Sequence, residues 1–262
     1  MGVLNVTPDS FSDGGEHFDP RRACDRALAM LDEGADVVDV GGESTRPGAD
    51  SVAPEEEARR AVPVIEAVRR ARPAARISID TRRAAVARAA LDAGADMLND
   101  VSALGDPEMA GVAAAARCPV VLMHMRGTPR GMQDDTAYDD LLGEIADALA
   151  ASATRAREAG IPDARILIDP GIGFGKSAEG NESLLRQLGA LHSLGHPILV
   201  GASRKMFVGR RTGVARPSER TSGSLAAAVA AALSGAALVR VHDVRATREA
   251  LAVADALRAG AR

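Results

Sequence analysis

The feature that most constrains this chain is a phrase it repeats. D-E-G-A-D-V-V-D-V at 32–40 is echoed by D-A-G-A-D-M-L-N-D at 92–100, and more loosely at 158–169 and 234–242. Each copy describes a helix ending at glycine, a short turn, an apolar strand and a closing polar residue. Glycine relieves the left-handed position just past a helix. A short apolar run reads as a parallel strand buried on both faces. Eight such runs occur, at 1–5, 36–40, 76–80, 96–100, 119–124, 165–169, 197–202 and 237–242. Helical spacing lies between them, as in Ala58, Ala61, Val62 and Ile65, or Val86, Ala89, Ala90 and Ala93. Helix starts are marked by Asp19-Pro20, by Asp106-Pro107-Glu108, and by Pro54 followed by three glutamates. Uninterrupted strand–helix alternation implies parallel pairing with right-handed crossovers. Eight units in 262 residues match a single α/β domain, a (β/α)8 TIM barrel, with an open doubly wound sheet as the competitor. No linker divides the chain. The barrel is expected over 1–257, with 258–262 as a C-terminal tail.

Composition narrows the function. Aromatics are 2%, so Ala, Val, Leu and Ile must build the core. A formal charge of −4 argues against a broad nucleic-acid footprint. The most apolar stretch, Leu225 to Val239, is shorter than the ~20 residues a membrane span needs. Cys24 and Cys118 stand far apart, without disulfide or zinc spacing, as suits a reducing compartment. No secretory signal opens the chain, and a cytoplasmic protein is expected. Of 32 basic residues only Lys176 and Lys205 are lysine. Both sit in Gly/Ser-rich text, and arginine does not readily imitate a compact ammonium with three rotatable donors.

In a barrel of this kind, chemistry sits at the C-terminal ends of the strands. The residues there are Asn5, Glu43 to Arg46, Asp80, Asn99, Asp100, His124, Asp169, Ser203 to Lys205, Arg240 and His242. Any single Asp or Asn among them reads first as a cap for the next helix. The whole ring does not, because Lys205, Arg240 and His242 cannot be N-caps. Asp80, Asn99, Asp169 and Lys205 mix donors and acceptors, suiting the edge of a small heterocycle. Asn5, Arg46, Arg240 and His242 suit a phosphate-type anion, and Asn5 also offers an oxygen to Mg²⁺. Phe11, Phe174 and Phe207 lie in loop-like text, as ordinary packing or as flat surfaces near a flat ligand. The segment G-I-G-F-G-K-S at 171–177 is no P-loop, because Pro170 occupies its first glycine position. His192 and His196 flank Gly195 without an accompanying Glu, which argues against a zinc pair.

N-V-T-P-D-S-F-S-D-G-G at 5–15, D-V-G-G-E-S-T-R-P-G-A at 39–49, S-I-D-T at 78–81, N-D-V-S at 99–102, L-M-H-M at 122–125, D-P-G-I-G-F-G-K at 169–176, G-A-S-R-K at 201–205 and R-V-H-D-V at 240–244 together resemble the dihydropteroate synthase family of pterin-binding enzymes. The resemblance implies a (β/α)8 barrel, usually dimeric, using Mg²⁺. It implies a transferase of folate biosynthesis that condenses 6-hydroxymethyl-7,8-dihydropterin pyrophosphate with p-aminobenzoate. Carried over by motif, Asn5 would bind Mg²⁺ and the diphosphate. Asp80, Asn99, Asp169 and Lys205 would hold the pterin, with Met125 lining its pocket. Arg240 would stack on the pterin and meet the diphosphate with His242. Thr45, Arg46, Pro47, Phe174 and Ser203 would surround p-aminobenzoate, Thr45 also touching the pterin substrate. Asp80, Lys205, Arg46 and Asp13 would form the catalytic set, and Asp9, Phe11 and Asp13 a closing loop.

Two departures stand out. The family usually has residues ahead of the first strand, so either the start of this sequence is misplaced or the barrel floor lacks a plug, which would lower stability. Some relatives carry Ser after the S-R-K lysine, where this chain has Met206, so weaker p-aminobenzoate binding is expected. Two other functions fit parts of the pattern. A methyltetrahydrofolate/corrinoid methyltransferase domain shares the Asp80/Asn99/Asp169 set, and a non-catalytic pterin-binding paralogue needs no complete ring.

Overall fold

Strands β1 (Gly2–Asn5), β2 (Val38–Gly41), β3 (Ile77–Asp80), β4 (Met97–Asp100), β5 (Val120–Met123) and β6 (Ile166–Asp169) pair in chain order, all parallel. β7 (Leu199–Val200) pairs with β8 (Leu238–Val239). The computed structural model describes residues 1–7, 19–45 and 48–259. Two parallel bridges, Ile168 to Ile198 and Gly2 to Val241, join the two sheets at both edges. The second seam is reinforced by Val3 N–H donating to the Val241 carbonyl at 2.9 Å. The sheet thus closes on itself as a (β/α)8 barrel, which excludes the open doubly wound alternative.

Nine α-helices follow the strands among the described residues: α1 (Pro20–Asp32), α2 (Pro54–Ala71), α3 (Ala84–Asp92), α4 (Met109–Ala116), α5 (Leu141–Glu158), α6 (Ala178–Arg186), α7 (Met206–Thr212), α8 (Thr221–Leu233) and α9 (Val244–Ala259). The repeated phrase works as expected. Gly34, Gly94, Gly160 and Gly235 all have positive φ, at 97°, 108°, 91° and 92°. Asp19 caps α1, its side chain accepting from Arg21 N–H. The second cap signal is displaced: α4 begins only at Met109, and Asp106 instead accepts from Glu108 N–H and from Ala84 N–H at the start of α3. The buried stripes keep half of each expected set, Ala61 with Ile65 and Val86 with Ala90, and Ala58 and Ala93 pack against the core. In α2 the core face is Ala61, Val64, Ile65 and Val68, and in α3 it is Val86, Ala87 and Ala90. Alanine on several sides of these helices leaves the apolar face ambiguous until the sheet chooses it.

Strand alternation sorts side chains into two layers. Leu4, Val38, Val40, Ile77, Ile79 and Ile168 join the helices in the main core. Met1, Val37, Met97, Val121 and Leu199 form a separate small cluster, flanked by Leu167 and Leu238. These are the alternate, inward positions, and they pack the lower end of the barrel with apolar side chains. Two residues further along five of the eight strands the inward positions are polar: Asp39, Asp80, Asn99, Asp169 and Arg240. An apolar floor therefore lifts a polar layer to the barrel mouth.

Leu199→Ala should lower the unfolding free energy by about 3 kcal/mol, whereas Val253→Ala on exposed α9 should change it by less than about 0.5 kcal/mol. Urea unfolding of the two variants checks this, and equal losses would contradict a packed inner layer.

Candidate functional site

The mouth is organised around Arg240. Its Nε donates to Asp39 Oδ2 at 2.6 Å and its Nη2 to Asp80 Oδ2 at 2.7 Å, with the Arg240 side chain 19% exposed. Asn99 Nδ2 donates to the same Asp39 oxygen at 3.0 Å. Four elements thus meet through one guanidinium. Parallel register sets the rest: Asn5 pairs with Gly41, Gly41 with Asp80, and Asp80 with Asn99, one row across β1 to β4. Asp39 was not among the residues singled out in the sequence. The signal available was its place in the strand, between Val38 and Val40 that face the helices. A carboxylate there must point into the barrel, where an unpaired charge is costly.

Burial and unlike neighbours tune this layer. Burial pushes the Asp80 carboxyl up to about 7, with Arg240 pulling it down and Asp39, Glu57 and Asp100 pushing it further up. The Asp169 carboxyl is also raised by burial, against the Gly171 N–H it accepts at 2.7 Å and the nearby Lys205 and Lys176. Burial lowers Lys205 to about 8, with Asp169 opposing and Arg240 assisting. Burial opposes the charge on Arg240 too, but Asp39 and Asp80 outweigh it and hold the guanidinium protonated. Asp39 Oδ1 and Asp80 Oδ1 are buried without a hydrogen-bond partner among the described residues. Of the two, Asp80 Oδ1 lies nearer the opening and can accept from an N–H group of a ligand, while Asp39 is fully buried behind Arg240.

A second group lies beside the first. Lys205 Nζ sits 4.0 Å above the Phe174 ring, a cation–π contact. His242 Nδ1 is 3.0 Å from Ser203 Oγ. Burial, then Arg204 and Arg240, push the His242 imidazole down to about 3. His242 is therefore neutral at physiological pH and offers an anion a hydrogen bond. Between Ser203 and Lys205, Arg204 adopts φ 59°, with its N–H held by Ser224 Oγ at 2.8 Å. Asn5, Thr45 and Met125 join the ring by position, at or just past the ends of β1, β2 and β5.

Other residues are placed elsewhere. Asp9, Phe11, Asp13, Arg46 and Pro47 lie outside the described residues. Glu43 anchors the loop after β2, accepting from Val52 N–H at 3.0 Å and pairing with Arg82 and Arg83. Asp100 caps its own loop, accepting from the N–H groups of Ser102 and Leu104. Phe207 is a core side chain of α7. Met206 is 51% exposed at the start of that helix. No cluster of three or more His, Cys, Asp or Glu suited to a metal occurs among the described residues. No helix there is long and apolar enough to cross a membrane.

The raised Asp80 carboxyl has a consequence for stability. In the unfolded chain it ionises near pH 4, in the folded protein near 7, so its favourable contribution at low pH is lost as pH rises between those values. Asp80→Asn removes this loss. Measured by urea unfolding, the stability of the variant relative to the parent should therefore improve from pH 5 to 7, by at most about 1.4 kcal/mol per pH unit. A difference independent of pH would contradict the assignment.

This mouth combines Asp39, Asp80 and Asp169 with an amide, a lysine and a largely buried arginine, and comparison with known proteins bears on its role. The family model described as "Pterin binding enzyme" matches residues 1–242. The dihydropteroate synthase of Synechocystis is 50% identical over 98% of this chain and 89% of its own length. That of Escherichia coli is 47% identical over 98% of this chain and 90% of its own. Among solved structures, Xanthomonas albilineans dihydropteroate synthase with 4-aminobenzoic acid superposes with a TM-score of 0.93 at 50% identity, covering 99% of this chain and 92% of that one. On the closed barrel, its polar mouth and this near full-length similarity, the chain belongs to the dihydropteroate synthase family of pterin-binding enzymes.

Proposed function

We infer that this barrel mouth joins 6-hydroxymethyl-7,8-dihydropterin pyrophosphate to p-aminobenzoate, releasing pyrophosphate and forming 7,8-dihydropteroate. The chain is a transferase of folate biosynthesis by its family. The observation that carries the reading is the convergence of Asp80, Asn99, Asp169, Lys205 and Arg240 from five strand ends on one mouth. A related X. albilineans enzyme is solved with 7,8-dihydropteroate, the product this reading requires. The methyltransferase alternative would need a corrinoid partner and no diphosphate site.

The chemistry follows from the groups present. The arylamine nitrogen attacks the methylene carbon of the pterin, the carbon–oxygen bond to the diphosphate breaks, and the amine loses a proton. Asp80, titrating near 7, exchanges between acceptor and donor forms at neutral pH, which suits an amidine-like edge carrying both. Its ionised form, held in a low-dielectric mouth, stabilises positive charge growing on the methylene carbon. Asp169 and Asn99 complete the edge, and Lys205 donates from the Phe174 side. An arylamine is already nucleophilic, so orientation matters more than a strong base. Thr45, Arg46, Pro47, Phe174 and Ser203 are assigned to p-aminobenzoate, and Asp13 and Arg46 to loops that exclude water. Met125 is assigned to the pterin wall.

Magnesium belongs to the same proposal. The described residues hold no ligand cluster that would bind a cation alone, while Asn5 presents one amide oxygen at the mouth. That donor set fits Mg²⁺, which keeps several waters and takes substrate phosphates. When bound, it would neutralise the departing diphosphate beside Arg240, with neutral His242 donating a hydrogen bond. The homodimer and the cytoplasmic setting implied by the family are likewise proposed. The free thiols of Cys24 and Cys118 suit a reducing compartment.

Purified protein supplied with both substrates and Mg²⁺ should release pyrophosphate and dihydropteroate in equal amounts, and chelating the metal should slow release at least about tenfold. Folded protein that binds the pterin substrate but yields neither product would contradict the enzymatic reading and support a binding-only paralogue.

A further inference from the structure

Lys176 is the second of the two lysines, and the reaction as derived does not use it. It is 2% exposed, beneath the loop from Gly171 to Gly175. Its ammonium has three donors and meets three good acceptors: His124 Nδ1 at 3.0 Å, the Gly171 carbonyl at 3.0 Å and the Phe174 carbonyl at 2.8 Å. An ammonium only donates, so His124 Nδ1 accepts and the imidazole carries its proton on Nε2. Burial, then Lys176 and Arg126, push that imidazole down to about 3, consistent with a neutral ring.

The loop itself is wound through glycines. Gly171, Gly173 and Gly175 have φ of 69°, 83° and 63°. A Cβ on Gly171 would lie 1.9 Å from the His124 carbonyl, and one on Gly173 would lie 2.9 Å from Lys205 Cδ. The backbone is thus pressed against the end of β5 on one side and against Lys205 on the other. Gln133 and Tyr138 bind the Gly173 and Gly175 carbonyls at 3.2 Å and 2.9 Å, and Asn181 binds the Gly173 N–H at 2.6 Å. Lys176 ties the loop inward to the end of β5 through His124.

We propose that Lys176 is a positioning residue for the aminobenzoate half of the reaction: its three hydrogen bonds fix the glycine loop so that the Phe174 ring stays seated under Lys205. This rests on the assignment of Phe174 to the p-aminobenzoate pocket. The chemistry explains why lysine persists here in a chain whose other bases, Lys205 apart, are arginine. A planar guanidinium cannot aim three donors at acceptors set around a point. The cost of burying the charge is real, since burial lowers Lys176 to about 7 despite Asp169.

The test separates substrates. In Lys176→Met, which keeps the stem and removes the donors, KM for p-aminobenzoate should rise about tenfold while the Kd for the pterin substrate stays within about twofold by calorimetry. Phe174→Ala should raise the same KM, and adding Lys176→Met to it should bring no further rise. Lys176→Arg should fail to rescue. If Lys176→Met does not fold, Lys176→Gln, which retains two N–H donors, carries the same comparison. A folded variant with unchanged p-aminobenzoate KM, or with equal losses for both substrates, overturns the proposal, as does failure of both variants to fold. If Phe174→Ala leaves that KM unchanged, the pocket assignment fails first and the proposal falls with it.

Discussion

One largely buried guanidinium shared by two carboxylates organises the rest of the mouth. Arg240 reaches Asp39 and Asp80 at 2.6 and 2.7 Å, and Asn99 is bound in through Asp39. Burial raises the Asp80 carboxyl to about 7, Arg240 opposes that rise, and Asp39 adds to it. Isolated, each of these charges would be expensive to bury, and removing one partner of such a pair typically costs about 3–5 kcal/mol. The closed barrel makes the arrangement tolerable. An apolar floor of Met1, Val37, Met97, Val121 and Leu199 packs beneath it, and strands on every side fix the register. Stability at the floor and chemistry at the mouth are thus two consecutive inward layers of the same strands.

Much of the fold was legible because the strands are short, apolar and punctuated by helix-ending glycines. Every observed strand begins inside one of the eight expected segments, and only β2 runs a residue past its own. Helix faces were less legible. In α2 and α3 the many alanines satisfy more than one stripe, and the contact with the sheet decides which is buried. The displaced start of α4 has a similar cause: Asp106 serves the N-terminus of α3, a tertiary partner that local text does not reveal.

The site divides the same way. Asp80, Asn99, Asp169, Lys205 and Arg240 were legible as polar residues ending apolar runs. Asp39 was not, because it sits one turn of alternation inside its strand and its meaning depends on facing Arg240 from the far end of the chain. His242 was found, but its charge state was not, since neutrality comes from burial beside Arg204 and Arg240. Lys176 stood out by rarity alone, and only the geometry shows that it binds His124 and two loop carbonyls. The two lysines therefore divide the loop between them, one on each side of Phe174.

Asp39 holds the Arg240 guanidinium in place at the mouth, so the two should act on ligand binding as one unit. A double-mutant cycle on binding of the pterin pyrophosphate, followed by calorimetry, tests it most directly. Asp39→Asn should weaken binding about tenfold, or about 1.4 kcal/mol, in the parent protein and have almost no effect in an Arg240→Ala background. Equal losses in both backgrounds would show that the two residues act independently and would contradict the account.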